Sequence, residues 1–128
     1  MKSIKDKILN ENLDNIKKKN DNLVIDIDGV IATLVANGNY NNANPIAKNI
    51  KYINKLKKTG IRIVLFTARG SMSGKNWKIF TKNQLKDWGV LYDELLFGKP
   101  SGDLYIDDKA ATPSALVVLA GKVKTSNL

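Results

Sequence analysis

Four short polar clusters follow apolar runs in this chain: Asp26-Ile27-Asp28-Gly29, Thr67-Ala68-Arg69-Gly70, Gly98-Lys99-Pro100 and Asp107-Asp108. Their residue types suit the handling of a phosphoryl group. Asp26 and Asp28 stand at i and i+2 where a strand is expected to end, and strand alternation places both side chains on one face. Two carboxylates that close do not both ionise comfortably without a cation. Asp107, with Asp108 in support, adds anionic oxygen, and such a set suits a hard divalent ion, Mg²⁺. With that ion shielding the approach, Asp26 can attack phosphorus and form an acyl phosphate. Asp28 can protonate the leaving oxygen and later take a proton from attacking water. The Thr67 hydroxyl, neighbouring backbone N–H groups and Lys99 can hold the phosphoryl oxygens as charge shifts.

Composition narrows the alternatives. The 128 residues include no cysteine and no histidine. Disulfides, thiolate nucleophiles, imidazole bases and imidazole or thiolate metal sites are all excluded. Catalysis must run on carboxylates, lysine, hydroxyls and an oxygen-liganded metal. The formal net charge is +9, which attracts phosphorylated ligands. The charge is spread along the chain, however, and lysine outnumbers arginine nineteen to two beside abundant asparagine and isoleucine, a profile of AT-rich coding bias. No stretch approaches a membrane span and the N-terminus lacks the apolar run of a signal peptide, so a cytoplasmic location is expected.

The elements that must position these clusters can be read from hydrophobic spacing. Ile4, Ile8, Leu9, Leu13 and Ile16 mark an amphipathic helix over 3–19, so residues 1–22 divide from a domain over 23–128. The helix face can pack on its own chain or on a second copy, which leaves a homo-oligomer open. Residues 23–27 read as a buried strand, and 30–44 as a turn-rich loop or hairpin. A helix starts near Pro45, buries Ile46, Ile50, Ile53 and Leu56, and ends at Gly60. Residues 61–66 are a second strand, and 75–88 a helix ending at Gly89. Short strands are expected at 94–97 and 103–106, and a last one at 116–119. Alternating strands and helices predict an α/β fold, a Rossmann-like parallel sheet with helices on both faces. Ligands bind such sheets at the carboxyl ends of the strands, where all four clusters fall.

Taken one at a time, the clusters are weak signals. An Asp-x-Asp is commonly a surface pair, and a Gly-Lys-Pro a turn. In order, LVIDIDGVIA, VLFTARG, FGKP and LYIDD resemble the four motifs of the haloacid dehalogenase (HAD) superfamily, over roughly residues 23–110. The resemblance implies a HAD-like phosphatase domain over 23–128, with Mg²⁺ as cofactor. It implies Asp26 as nucleophile, Asp28 as acid/base, and Thr67 and Lys99 as partners of phosphate and nucleophile. Asp26, the Asp28 main-chain oxygen and Asp107 would bind metal, with Asp108 in support. Asp28 argues against the dehalogenase branch, which lacks that acid.

Neither the interval from Asp28 to Thr67 nor that from Thr67 to Lys99 has room for the cap domain common in that superfamily. FTARG and FGKPSGDLYIDDKA look most like small capless phosphatases linked to bacterial capsule and surface-polysaccharide biosynthesis. That likeness implies a phosphorylated sugar, polyol or nucleotide-linked sugar as substrate. Ala68, Arg69, Lys75, Asn76 and Trp77 lie beside the site, and arginine, lysine and tryptophan can contact an anionic or ring-bearing leaving group. Trp88 is expected to pack its helix. A nucleic-acid or nucleotide end phosphatase uses the same chemistry but finds no basic-aromatic stripe here. A non-catalytic phospho-ligand-binding module is the third reading.

Overall fold

The computed structural model describes residues 21–122. The helix expected over 3–19 lies outside them. Three strands, β1 (Asn22–Asp26), β2 (Arg62–Thr67) and β3 (Glu94–Phe97), form one parallel sheet in the order β1-β2-β3. Three helices follow or link them: α1 (Ala47–Lys58), α2 (Lys78–Asp87) and α3 (Ala115–Lys122). The chain is therefore α/β, as its alternation predicts.

The register decides which residues make the core. Ile25 pairs with Leu65, and Leu65 with Leu95, so Leu23, Ile25, Ile63, Leu65 and Leu95 line one sheet face. These join Ile50, Ile53 and Leu56 of α1, Leu85 of α2, and Leu116 and Leu119 of α3 in one apolar cluster. Ile53, Leu56, Ile63, Leu65 and Leu85 are wholly buried. On the opposite face Val24 is 60% exposed and Leu96 39%. Val64, which pairs with Val24 on that face, is buried.

Helix α1 buries the predicted Ile50, Ile53 and Leu56, but begins at Ala47 because Pro45 is held in a bridge with Ala32. Helix α2 begins at Lys78, after a run of turns. Two predicted strands need correction. Residues 116–119 belong to α3, whose buried Ala115, Leu116, Leu119 and Ala120 follow helical spacing and pack against α1. The Lys55 ammonium donates to the Ala120 carbonyl at 2.8 Å, satisfying an acceptor near the helix end. Residues 103–106 form no strand, and Leu104, Tyr105 and Ile106 are exposed. The Tyr105 hydroxyl accepts from Gly102 N–H at 2.9 Å and donates to the Pro100 carbonyl at 2.8 Å. That local turn competes with extension toward a neighbouring strand.

The amino end of the sheet is tied by Asp93. Its carboxylate accepts from Ile63 N–H at 2.8 Å, while Asp93 N–H donates to the Ile63 carbonyl at 2.8 Å. Lys57 of α1 lies 3.0 Å from the same carboxylate. The Ile63 N–H, more than Lys57, holds the Asp93 carboxyl below its ordinary value of 3.8. A carboxyl lowered in the folded state adds stability above its unfolded value, and loses it as pH falls through the folded one. Asp93→Asn is expected to cost on the order of 1 kcal/mol at pH 7. In urea titrations that difference from wild type shrinks as pH drops below about 4. An equal difference at pH 7 and pH 3 would remove the charge from this account.

Candidate functional site

The predicted chemistry begins where β1 runs out. Ile27 N–H still donates to the Phe66 carbonyl at 3.0 Å, and then the chain turns sharply. The Ile27 carbonyl accepts from Val30, Ile31 and Ala32, and Gly29 sits at φ 92°, a backbone region that favours glycine. Ile31 and Ala32 are wholly buried, which anchors the start of the long loop. Its far end is closed by Ile46 N–H on the Ile31 carbonyl at 2.7 Å. Between them Tyr40–Asn42 form a single 3₁₀ turn, so the segment is a pinned loop and not a two-stranded hairpin.

Because the strand ends at Asp26, Asp26 and Asp28 meet different partners. The Lys99 ammonium lies 2.8 Å from Asp26 Oδ2, across 73 residues of sequence. Lys99 reaches it because its N–H continues the ladder onto the Thr67 carbonyl at 3.2 Å, just past β3. Its ammonium also lies 4.0 Å from the centre of the Tyr105 ring. Asp28 faces the β2 end instead. The Thr67 hydroxyl donates to Asp28 Oδ2 at 3.1 Å, and Arg69 Nη2 to Asp28 Oδ1 at 2.9 Å. Asp26, Asp28, Thr67 and Lys99 are therefore brought to one edge of the sheet.

Arg69 departs from the role expected of it. It is 2% exposed, so it does not offer its guanidinium to a leaving group. Nε and Nη2 face Asp28, and Nη1 donates to Thr81 Oγ1 at 3.1 Å and Gln84 Oε1 at 2.8 Å. The Tyr40 ring covers it, 4.5 Å from Cζ. Burial raises the Tyr40 phenol, the Asp28 carboxylate raises it further, and Arg69 opposes both. Gln84 Nε2 also donates to the Tyr40 carbonyl at 2.9 Å. Thr67 is likewise wholly buried, and its hydroxyl accepts from Arg69 N–H while donating to Asp28. In this arrangement Thr67 holds Asp28 and does not face solvent.

The expected metal set is not assembled. Asp107 and Asp108 are exposed, on the segment that forms no strand. Asp107 accepts from Lys109 N–H at 2.8 Å, and that bond, ahead of Asp108, lowers its carboxyl. Among the described residues no three carboxylates are grouped to hold an ion. Asp26 and Asp28 remain at the sheet end, each paired with a cation.

Ala68, Lys75, Asn76 and Trp77 stand in or beside the loop after β2. Gly70 at φ 83° makes that loop possible, since a Cβ there would clash with the Lys75 carbonyl oxygen. Trp77 is half-buried, edge-on to Tyr40 at 4.9 Å and to Phe80 at 5.2 Å. Trp88 packs against the core as expected. A larger cavity of about 780 Å³ runs along α1 past Lys51, Tyr52, Lys55 and Trp88, and no predicted catalytic residue borders it.

Tyr40, Thr81 and Gln84 escaped the sequence reading. Thr81 and Gln84 lie at i and i+3 on α2, a spacing that puts them on one face. Tyr40 sits among asparagines and glycines and carries no comparable signal.

No family model matches this chain, and no curated protein does. A crystal structure of an MCSG target from Vibrio cholerae is similar in fold, with a TM-score of 0.63. It is 29% identical, and the match covers 80% of this chain and 98% of that one. Together the sheet, its register and this likeness define an α/β protein with a parallel sheet, three-stranded among the described residues.

Removing one partner of a buried ion pair leaves the other charge uncompensated. Arg69→Met is expected to lower stability by about 3 kcal/mol, the low end of the usual range, because Asp28 keeps some contact with water. Thermal or urea unfolding measures this. A loss within 0.5 kcal/mol, on the order of an ordinary surface substitution, would refute the structural role given to Arg69.

Proposed function

We propose that this chain is a phosphomonoester hydrolase of the HAD type that works through an aspartyl phosphate on Asp26. The observation that supports this most is the Lys99 ammonium 2.8 Å from Asp26 Oδ2, at the same sheet edge as Asp28 and Thr67. The Asp26 side chain is 34% exposed, so an incoming phosphate can reach it. Its partner Lys99 orients the carboxylate and stands ready to meet phosphoryl oxygens as charge builds on them.

In this reading an Asp26 oxygen attacks phosphorus as the bond to the leaving oxygen breaks. Asp28, when it carries a proton, gives it to the leaving oxygen. The resulting carboxylate then accepts a proton from the water that cleaves the acyl phosphate. Arg69 and Thr67 fix the orientation of Asp28 through both of its oxygens. The substrate class is a phosphorylated sugar, polyol or nucleotide-linked sugar.

Mg²⁺ belongs to the same proposal as a requirement to be measured. Among the described residues Asp107 is not grouped with Asp26 and Asp28.

Hydrolysis of p-nitrophenyl phosphate, with Mg²⁺ and with EDTA, tests the proposal. Asp26→Asn is expected to lose on the order of 10³-fold or more in kcat, as loss of a nucleophile does. Lys99→Met is expected to lose about 10²-fold. An Asp26→Asn protein as active as wild type would rule out the covalent route. Full turnover in EDTA would remove Mg²⁺ from the proposal.

A further inference from the structure

Near Lys99 the structure holds a cavity of about 200 Å³, with Gly70, Ser71, Lys75, Trp77, Lys78 and Gly98 in its lining. Two of its lining residues, Gly98 and Ser71, adjoin Lys99, the proposed nucleophile's partner. Gly98 precedes Lys99, and the Ser71 hydroxyl donates to the Lys99 carbonyl at 2.8 Å. The volume falls below that of a pocket for a whole drug-sized ligand and suits one functional group with a few carbons.

The chemistry of the lining is one-sided. Two lysines, Lys75 and Lys78, border the cavity and no carboxylate does. Arg69 is already committed to Asp28, Thr81 and Gln84. The Lys75 ammonium lies 5.3 Å from the centre of the Trp77 ring, and Trp77 is itself braced by Tyr40 and Phe80. Gly70 and Gly98 contribute backbone without side chains to the lining. Two lysines, an aromatic ring beside one of them and no anion to answer them describe a place for a negatively charged group.

We infer that this cavity is a second anion subsite, and that the preferred substrate is a phosphomonoester whose leaving group carries a further carboxylate or phosphate. The inference rests on the proposed hydrolase reading and narrows its substrate class. The phosphoryl group meets Asp26 and Lys99, while the second anion sits between Lys75 and Lys78 against Trp77. A neutral polyol phosphate leaves the two lysines without a partner and binds more weakly.

Binding can be read without turnover. In an Asp26→Asn, Trp88→Phe protein, Trp77 is the one tryptophan left, and its fluorescence reports the cavity. Titrations with 3-phosphoglycerate and fructose 1,6-bisphosphate, against glycerol 3-phosphate and fructose 6-phosphate, separate a carboxylate from a phosphate as the second anion. At least one doubly anionic probe is expected to bind ten-fold or more tighter than its singly anionic counterpart, roughly the gain of one charge-assisted contact. Lys75→Ala with Lys78→Ala should abolish that preference, and Lys75→Arg with Lys78→Arg should keep it. Equal binding of both kinds of probe, or a preference that survives loss of both lysines, overturns the inference. Preferential binding by a protein whose wild type hydrolyses no phosphomonoester would uphold the subsite and reject the hydrolase reading. Asp26-dependent hydrolysis with no such preference would do the reverse.

Discussion

A buried guanidinium has to be matched, because arginine does not shed its charge on burial. Arg69 meets that constraint with partners from three parts of the chain: Asp28 after β1, Thr81 and Gln84 on α2, and the Tyr40 ring from the long loop. Each partner belongs to a segment that sheet pairing alone would leave adjustable. The turn after β1, the long loop carrying Tyr40, the loop after β2 and the middle of α2 are thereby held in one arrangement. Gly70 contributes by letting the 70–75 loop close on itself without a clash.

That constraint divides the two carboxylates. Asp28 is drawn inward, onto a wholly buried threonine and a nearly wholly buried arginine. Asp26 is left outward, with Lys99 as its partner and more of its side chain open to water. An inward, oriented carboxylate and an outward, reachable one suit different tasks. The proposed acid/base and nucleophile roles follow that difference in surroundings and not any difference in residue type. Beside them the loop after β2 places Lys75 and Trp77 at a cavity edge, so the region around the sheet end offers more than one point of contact for a ligand.

The 99–114 segment shows a competition between local and long-range bonding. Leu104 and Ile106 have the composition of a strand, yet both are exposed. Tyr105 spends its hydroxyl on Gly102 and Pro100, and its ring faces Lys99. Those contacts close over a few residues and cost little chain entropy. The helix that follows is held independently, through Leu116, Leu119 and the Lys55 bond to Ala120.

The strands at 22–26, 62–67 and 94–97 and the buried stripe of α1 were legible in the sequence, because apolar run length and helical spacing record burial directly. So was the meeting of Asp26, Asp28, Thr67 and Lys99 at one edge, since parallel strands place their carboxyl ends together. Short apolar runs were not decisive: 116–119 became helix and 103–106 neither helix nor strand, because four residues carry too little periodicity to tell the two apart. Tertiary structure alone decided what each polar group touches. Thr67 read as a partner of the phosphoryl oxygens and Arg69 as a contact for the leaving group, but packing of α2 and Tyr40 over the β2 end buries both and turns them to Asp28. Hydrogen-bond partnership between residues tens of positions apart depends on how helices and loops pack across the sheet, and neither composition nor spacing encodes that geometry in any one segment.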